Sequence, residues 1–228
     1  MRGRTFVFGS SGFLYRSNKL MYDQQTKSLW HHLRGEPVVG PLADSGIRLV
    51  PRPVVTTTWR DWVGRHPNTV VLDIDTGYVR EYTPGRPYGA YYASPDTMFP
   101  VSPRSGRLAT KELVFVLRLE PNRKVYPLAA FDTEPVVNDT VGVAPVVVVG
   151  RSATRTVRAY ERRDLRFGPG PGPDELIAVG TGTRWRIEEE ALVAVTDGRR
   201  LARLAGHLAY WFGWFAFHPD TPVYDRRR

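Results

Sequence analysis

The sequence predicts a mainly β protein, a β-rich α+β fold, and three observations carry that expectation. Apolar and β-branched residues gather in short runs bounded by Gly, Pro, Asn or Asp, the pattern of strands rather than helices. Nineteen prolines and 21 glycines among 228 residues, including Gly168-Pro169-Gly170-Pro171-Gly172-Pro173, mark many tight connections. The six tryptophans also recur in a fixed order. Phe8-Gly9, Thr26-Lys27-Ser28-Leu29-Trp30 and Trp59-x-x-Trp62-x-x-x-His66-Pro67-x-Thr69 are followed by Phe167-Gly168, Thr181-Gly182-Thr183-Arg184-Trp185 and Trp211-x-x-Trp214-x-x-x-His218-Pro219-x-Thr221. The offset falls from 159 to 155 to 152 residues, as short loop deletions between two copies would produce.

Taken in order, Thr5 to Phe8, Lys19 to Tyr22, Val70 to Asp73, Leu113 to Leu119, Val146 to Val149, Thr156 to Tyr160 and Ile177 to Gly180 read as strands. Thr58 to His66 reads as a helix capped by Thr57 or Thr58 and ended by Pro67. Gly206 to Phe217 reads as the matching helix, with Pro219 just beyond it. Tyr82 to Phe99 has little period and reads as loop. Two related units follow, 1–110 with a Tyr/Arg-rich loop at 78–99, and 111–228, forming one globular body. Residues 111–163 lead into the second copy without a counterpart before Thr5, so the first unit is expected to be incomplete. Its uncovered strand edge makes a homodimer a natural arrangement.

The chain has no cysteine, which excludes disulfides, thiolate nucleophiles and Cys-ligated metals. The formal charge is +9 and the only lysines are Lys19, Lys27, Lys111 and Lys124, so arginine carries most of the positive charge. Apart from the terminal Arg226, Arg227 and Arg228 there is no dense basic run, so nucleic acid is not an expected partner. The opening residues lack an apolar signal-peptide stretch. The longest apolar run, Leu208 to Phe217, is about half of what a bilayer crossing requires, so no transmembrane segment is expected. A chain as written would stay in the cytoplasm. The compartment itself is left open.

One set of residues is distinctive: Phe8-Gly9-x-Ser11-Gly12-x-Leu14-Tyr15-x-Ser17-x-x-x-Met21-Tyr22-Asp23-x-x-Thr26-x-Ser28-Leu29-Trp30. Together with Gly40-Pro41-Leu42, His66-Pro67, Asp75-Thr76-Gly77-Tyr78 and Val137-Asn138-Asp139-Thr140-Val141-Gly142, it resembles the domain-of-unknown-function 3179 family over essentially the whole chain. The resemblance implies a bacterial or archaeal protein of a family often exported or lipid-anchored, and it supplies no activity. Relatives usually carry a preceding segment with a Cys-Pro-x-Cys element. Val149-Gly150-Arg151-Ser152-Ala153-Thr154 is the nearest equivalent here, and both cysteines are missing. On the family's pattern the first unit is shortened, and a longer natural chain would be extracytoplasmic.

Several motifs invite a function. Asp73-Ile74-Asp75-Thr76 superficially resembles a phosphatase Asp-x-Asp, but the threonine is one place early and no βαβ alternation surrounds it. It reads instead as a strand ending in a turn, with the Asp75 side chain satisfying local amides. Gly9-Ser10-Ser11-Gly12 lacks nucleophile-elbow spacing. His66 and His218 occupy the same place in both copies and are expected to cap helix carbonyls; Trp30, Trp59, Trp62, Trp185, Trp211 and Trp214 are expected to be structural, with the halves packing through their tryptophan helices. His31 and His32 are strand neighbours that point to opposite faces, a poor metal site. Neither metal nor cofactor is expected.

The segment richest in recognition chemistry is Tyr78 to Tyr92, with Tyr78, Tyr82, Tyr88, Tyr91 and Tyr92 interleaved with Arg80 and Arg86. Two functions stay open. One is a module that binds a small ligand or protein through this loop. The other is a hydrolase-like enzyme on an anionic or sugar-like substrate, with Asp23, Asp75 or His32 as acid or base and Arg16, Arg80 or Arg86 holding the charge.

Overall fold

The computed structural model describes residue 3 and residues 5–225. The terminal arginines 226–228 and Met1 lie outside the described residues. In chain order the strands begin with β1 (Phe8–Tyr15), β2 (Asn18–Asp23), β3 (Leu29–His31) and β4 (Glu36–Val39), a meander. A long connection carries helices α1 (Trp59–Arg65) and α2 (Gly89–Ala93). The hairpin β5 (Leu113–Leu119) and β6 (Asn122–Pro127) follows, then a 3-10 turn, then the meander β7 (Val136–Val141), β8 (Ala144–Arg151) and β9 (Thr156–Glu161). A five-stranded meander comprises β10 (Phe167–Pro169), β11 (Glu175–Ala178), β12 (Arg184–Ile187), β13 (Ala191–Ala194) and β14 (Arg200–Ala202). Strand β15 (Gly206–Tyr210) returns to pair with β5 and runs directly into α3 (Trp211–Phe215). The fold is mainly β, with four antiparallel sheets among the described residues.

Two-residue periodicity stacks these sheets. Along β5, Phe115 and Leu117 face one core, shared with Val146, Val148, Val157 and Ala159 of the β7–β9 sheet. The alternate residues Val114 and Val116, with Val125 of β6, face Trp211 and Trp214 of α3. Along β8, Val146 and Val148 point back to β5 while Val147 joins Trp185, Leu176, Leu192 and Leu201 of the five-stranded sheet. Strands buried on both faces read as continuous apolar runs, which is why Val146 to Val149 shows no alternation. The result is a stack of α3, the β15-β5-β6 sheet, the β7–β9 sheet and the five-stranded sheet.

The β1–β4 sheet docks against the end of that stack. Asn18 Nδ2 donates to the Gly213 carbonyl at 3.1 Å, Arg118 Nη1 donates to the Leu33 carbonyl at 2.7 Å, and Arg16 donates to the Ala216 carbonyl. The His31 ring lies 3.9 Å from that of Phe217.

The two tryptophan blocks share local geometry. Phe8 meets Trp30 edge-on at 5.2 Å and 90°, and Phe167 meets Trp185 at 5.6 Å and 87°. Trp62 Nε1 donates to Thr69 Oγ1 at 2.9 Å; Trp214 Nε1 donates to Thr221 Oγ1 at 3.0 Å. The His66 ring stands 4.2 Å from Trp62 and the His218 ring 4.2 Å from Trp214, tilted by 36° and 37°.

Several expectations need correction. The two tryptophan helices are not the joint between the halves: α3 packs under its sheet, whereas α1 buries no residue and is tied elsewhere, through Thr57 to Thr156 and Arg65 to Asp174. Trp211 is 1% exposed, but its counterpart Trp59 is 55% exposed, because α1 has no sheet beneath it. His66 caps α1 with its backbone N–H, which donates to the Trp62 carbonyl, not with its ring; α3 is capped by Ala216, and His218 lies two residues beyond, its N–H on the Trp214 carbonyl; both rings lie against the indoles.

Gly206 to Tyr210 is strand rather than helix. Each of its residues pairs with β5, from Gly206 opposite Leu117 to Tyr210 opposite Leu113, and a Cβ at Gly206 would collide with the Phe115 ring. Val70 to Asp73 forms no strand and is exposed, Val70 and Leu72 by about nine-tenths, since no neighbouring strand offers a ladder there. Thr5 to Val7 precedes the first strand, the strand expected at Ile177 to Gly180 ends at Ala178, and the Tyr82 to Phe99 loop holds the short α2.

The unequal burial of the two helices yields a test. Trp214→Ala should cost about 3–5 kcal/mol of stability in urea unfolding, as expected for an aromatic core truncation. Trp62→Ala should cost only about 1 kcal/mol, within the range of an ordinary substitution. Equal losses would contradict the unequal support of the two helices.

Candidate arginine cleft

The β5–β6 hairpin ends beside the junction between the β1–β4 sheet and α3. Its register places Arg118 directly opposite Arg123. Like charges in that relation repel across a ladder. Arg118 is largely buried and divides its guanidinium between the Leu33 carbonyl and Glu120, which it meets at 2.8 Å, while its Nε finds no partner. Arg123 has no carboxylate partner among the described residues, and instead donates from Nη1 to His218 Nδ1.

From the other side, the turn after β3 and the loop after β4 bring in Arg34 and Arg48. Both hold Glu36, at 2.6 and 3.1 Å. Arg34, Arg48, Arg118, Arg123, Glu120, Phe217 and His218 together enclose a cavity of about 300 Å³. It shares Arg123, Phe217 and His218 with a neighbouring cavity of about 380 Å³ lined by Pro121, Asn122, Asp220, Thr221 and Pro222. It shares Arg34 and Arg48 with another of about 440 Å³ beside Glu36 and Asp44. Four guanidiniums thus face one space with Glu120 as its one lining carboxylate among the described residues; Glu36 and Asp44 lie to one side of it and Asp220 to the other.

The histidines around this space are held neutral. Burial, followed by the positive charges of His32, Arg34, His218 and Arg16, pushes His31 down to about 3. Burial, followed by Arg123, Arg118 and Arg34, pushes His218 down to about 4. His31 Nδ1 accepts the Arg34 backbone N–H at 3.1 Å, and His218 Nδ1 accepts from Arg123, so in each ring Nε2 carries the hydrogen. Both Nε2 atoms are buried without a partner. Of the four guanidiniums, only that of Arg123 lacks a carboxylate partner among the described residues.

The residues singled out in the sequence lie elsewhere. Asp23 is fully buried and accepts from the Thr26 amide at 2.6 Å, the Thr26 hydroxyl at 2.7 Å and Trp30 Nε1 at 2.9 Å. Burial opposes its ionisation, but these bonds outweigh that and hold its carboxyl below the usual range. It is a turn anchor sealed from solvent. Asp75 lies in the exposed loop, and the expected roles are reversed: Asp73 Oδ1 accepts the Asp75 amide at 3.0 Å. His32 is exposed, its Nδ1 on the Lys19 carbonyl at 2.8 Å. Arg16 is spent on α3, with its guanidinium 5.5 Å from the Phe217 ring.

Tyr78, Tyr82, Tyr88 and Tyr92 are 72%, 47%, 66% and 63% exposed, beside exposed Arg80 and Arg86. Tyr91 is half-buried, 6.4 Å from Tyr210, with Lys111 Nζ 3.6 Å from its ring centre. These tyrosines do not meet the arginine cleft. Sequence reading missed the cleft because Arg34, Arg48, Arg118, Arg123 and His218 come from distant segments. One signal was present: Arg118 and Arg123 flank the Glu120-Pro121 turn at spacing that sets them opposite each other.

The profile of DUF3179, described as a protein of unknown function, matches residues 1–221. The chain belongs to the DUF3179 family. No curated protein and no solved structure matches it. Among the described residues of this DUF3179 protein, no helix is long and apolar enough to cross a membrane.

Two outcomes are expected from this geometry. In the unfolded chain a histidine takes up a proton below about pH 6.5, which folded His31 and His218 refuse until far lower pH. Stability should therefore be complete above pH 6.5 and fall as the pH drops towards 4. Melting temperature at pH 7 and pH 5 checks this, and His218→Gln should flatten the difference; a wild-type value that does not move would contradict it. Lys111 also donates to the Tyr91 and Ser94 carbonyls. Lys111→Ala should expose Arg80 and Arg86 to trypsin several-fold faster, read by limited proteolysis.

Proposed function

We propose that this DUF3179 protein is a binding module whose ligand carries an anionic group, held in the cleft between Arg34, Arg48, Arg118 and Arg123. The observation that carries this reading is the opposed pair Arg118–Arg123, in which Arg123 lacks a carboxylate. A cross-strand pair of like charges costs stability, and an anion between the guanidinium forks would turn that cost into charge-assisted hydrogen bonds. The cleft also joins the β1–β4 sheet to the β5–β6 hairpin, so a ligand there would tie the two together.

The hydrolase-like alternative draws less support. Asp23, Asp75 and His32 do not meet one another, and His218 has no lone pair to spare, with Nδ1 taken by Arg123 and Nε2 protonated. The Tyr/Arg loop supports a second reading as a surface for a protein partner, since four tyrosines stand exposed without a core to cover. We also read the recurring Phe–Trp and Trp–His–Thr geometries as two related units, 1–110 and 111–228, with the second supplying the hairpin that α1 lacks.

Isothermal titration with phosphate, sulfate, citrate and glucuronate tests the cleft. At least one anion should bind, and raise the melting temperature by ligand linkage, worth about 2.7 kcal/mol at a hundredfold excess over Kd. Arg48→Gln and Arg123→Gln should each weaken it at least tenfold without lowering the ligand-free melting temperature. Absence of binding by every anion would refute the proposal.

A further inference from the structure

We infer that the ligand is a phosphomonoester of a small hydroxylated body, with its phosphate among the four arginines and its body in the adjoining lobe; this deepens the anion-binding reading and rests on it. The charge balance points to a dianion. Four guanidiniums line the inner cavity with Glu120 on its wall and Glu36 beside it, and His218 is neutral, which leaves two more positive than negative charges at that cavity; Asp44 and Asp220 stand in the adjoining lobes. A phosphate monoester carries about −1.5 to −2 at pH 7 and offers three acceptor oxygens. Guanidinium forks match those oxygens.

Size argues that the phosphate is not alone. The inner cavity of about 300 Å³ and the neighbouring lobe of about 380 Å³, which share Arg123, Phe217 and His218, are in the range of small-molecule sites, about 300–1,000 Å³. The lobe differs from the inner cavity in kind. Its polar side chains are Asn122, Asp220 and Thr221, set among prolines, with Phe217 and His218 at the boundary. Asn122 offers both a donor and an acceptor, and Asp220 accepts hydroxyl hydrogens while repelling a second anion. The Asn122 amide packs directly on the turn at Gly142, at φ +63°, where any Cβ would strike it. The third lobe, beside Arg34 and Arg48, holds the carboxylates Glu36 and Asp44, which would repel a second phosphate.

Titration of the full chain with inorganic phosphate, glucose, glucose 6-phosphate and a single-stranded oligonucleotide separates the possibilities. Glucose 6-phosphate should bind at least tenfold more tightly than inorganic phosphate, glucose alone should not bind measurably, and affinity should fall below pH 6 as the second phosphate charge is lost. Asn122→Ala and Asp220→Asn should erase most of the ester's advantage and leave inorganic phosphate unaffected, whereas Arg123→Gln or Arg48→Gln should weaken both at least tenfold. Equal affinity for phosphate and ester would overturn this inference while leaving an anion site intact. Tight binding of citrate or glucuronate with none of phosphate would do the same. A preference for the oligonucleotide with steep salt dependence would replace the small ligand by a polyanion. Failure of every anion would remove the underlying reading as well.

Discussion

Alternation along a single strand, Leu113 to Leu119, governs the molecule. Val114 and Val116 bury the tryptophans of α3, Phe115 and Leu117 build the core against the next sheet, and β15 pairs with Leu113 to Leu117. A one-residue slip would exchange the two faces and drive both cores apart. The same register that satisfies these faces puts Arg118 opposite Arg123 at the hairpin end, so the repulsive pair cannot relax by sliding. Two cores hold it in place, and the position of Arg123, which has no carboxylate partner among the described residues, is a consequence of packing as much as of composition.

The surroundings add to that charge. Arg34 and Arg48 arrive on the β1–β4 sheet, which is anchored by hydrogen bonds from Asn18, Arg16 and Arg118 to backbone carbonyls and by the His31–Phe217 contact. The buried imidazoles stay neutral first because burial strips a charged ring of water, and second because a proton would add to the positive charge around them. Burial and guanidinium crowding thus act together where the sheet meets the stack.

Much of the fold was legible in the sequence. Leu113 to Leu119 coincides with β5, and α1 has the capping residue Thr58 and the terminating His66-Pro67 that its sequence announces. Period and capping are local, and local signals survive folding. Gly206 to Tyr210 misled because an apolar run can be a buried strand or a helix, and the choice fell to pairing with a distant β5. Val70 to Asp73 misled in the opposite sense: its β-branched residues suit a strand, but no partner strand lies alongside. The cleft was least legible. Charges from four separate segments converge only through tertiary structure, and Asp23 and Asp75 drew attention by type although one is sealed under Trp30 and the other stands in an open loop.

The most direct test of the account is a crystal soaked in tungstate, a phosphate analogue whose tungsten scatters anomalously. The account predicts a tungstate oxyanion within hydrogen-bonding distance of both Arg118 and Arg123, with Arg34 or Arg48 closing over it. Tungstate bound only at other surface arginines, with the space between Arg118 and Arg123 empty, would contradict it.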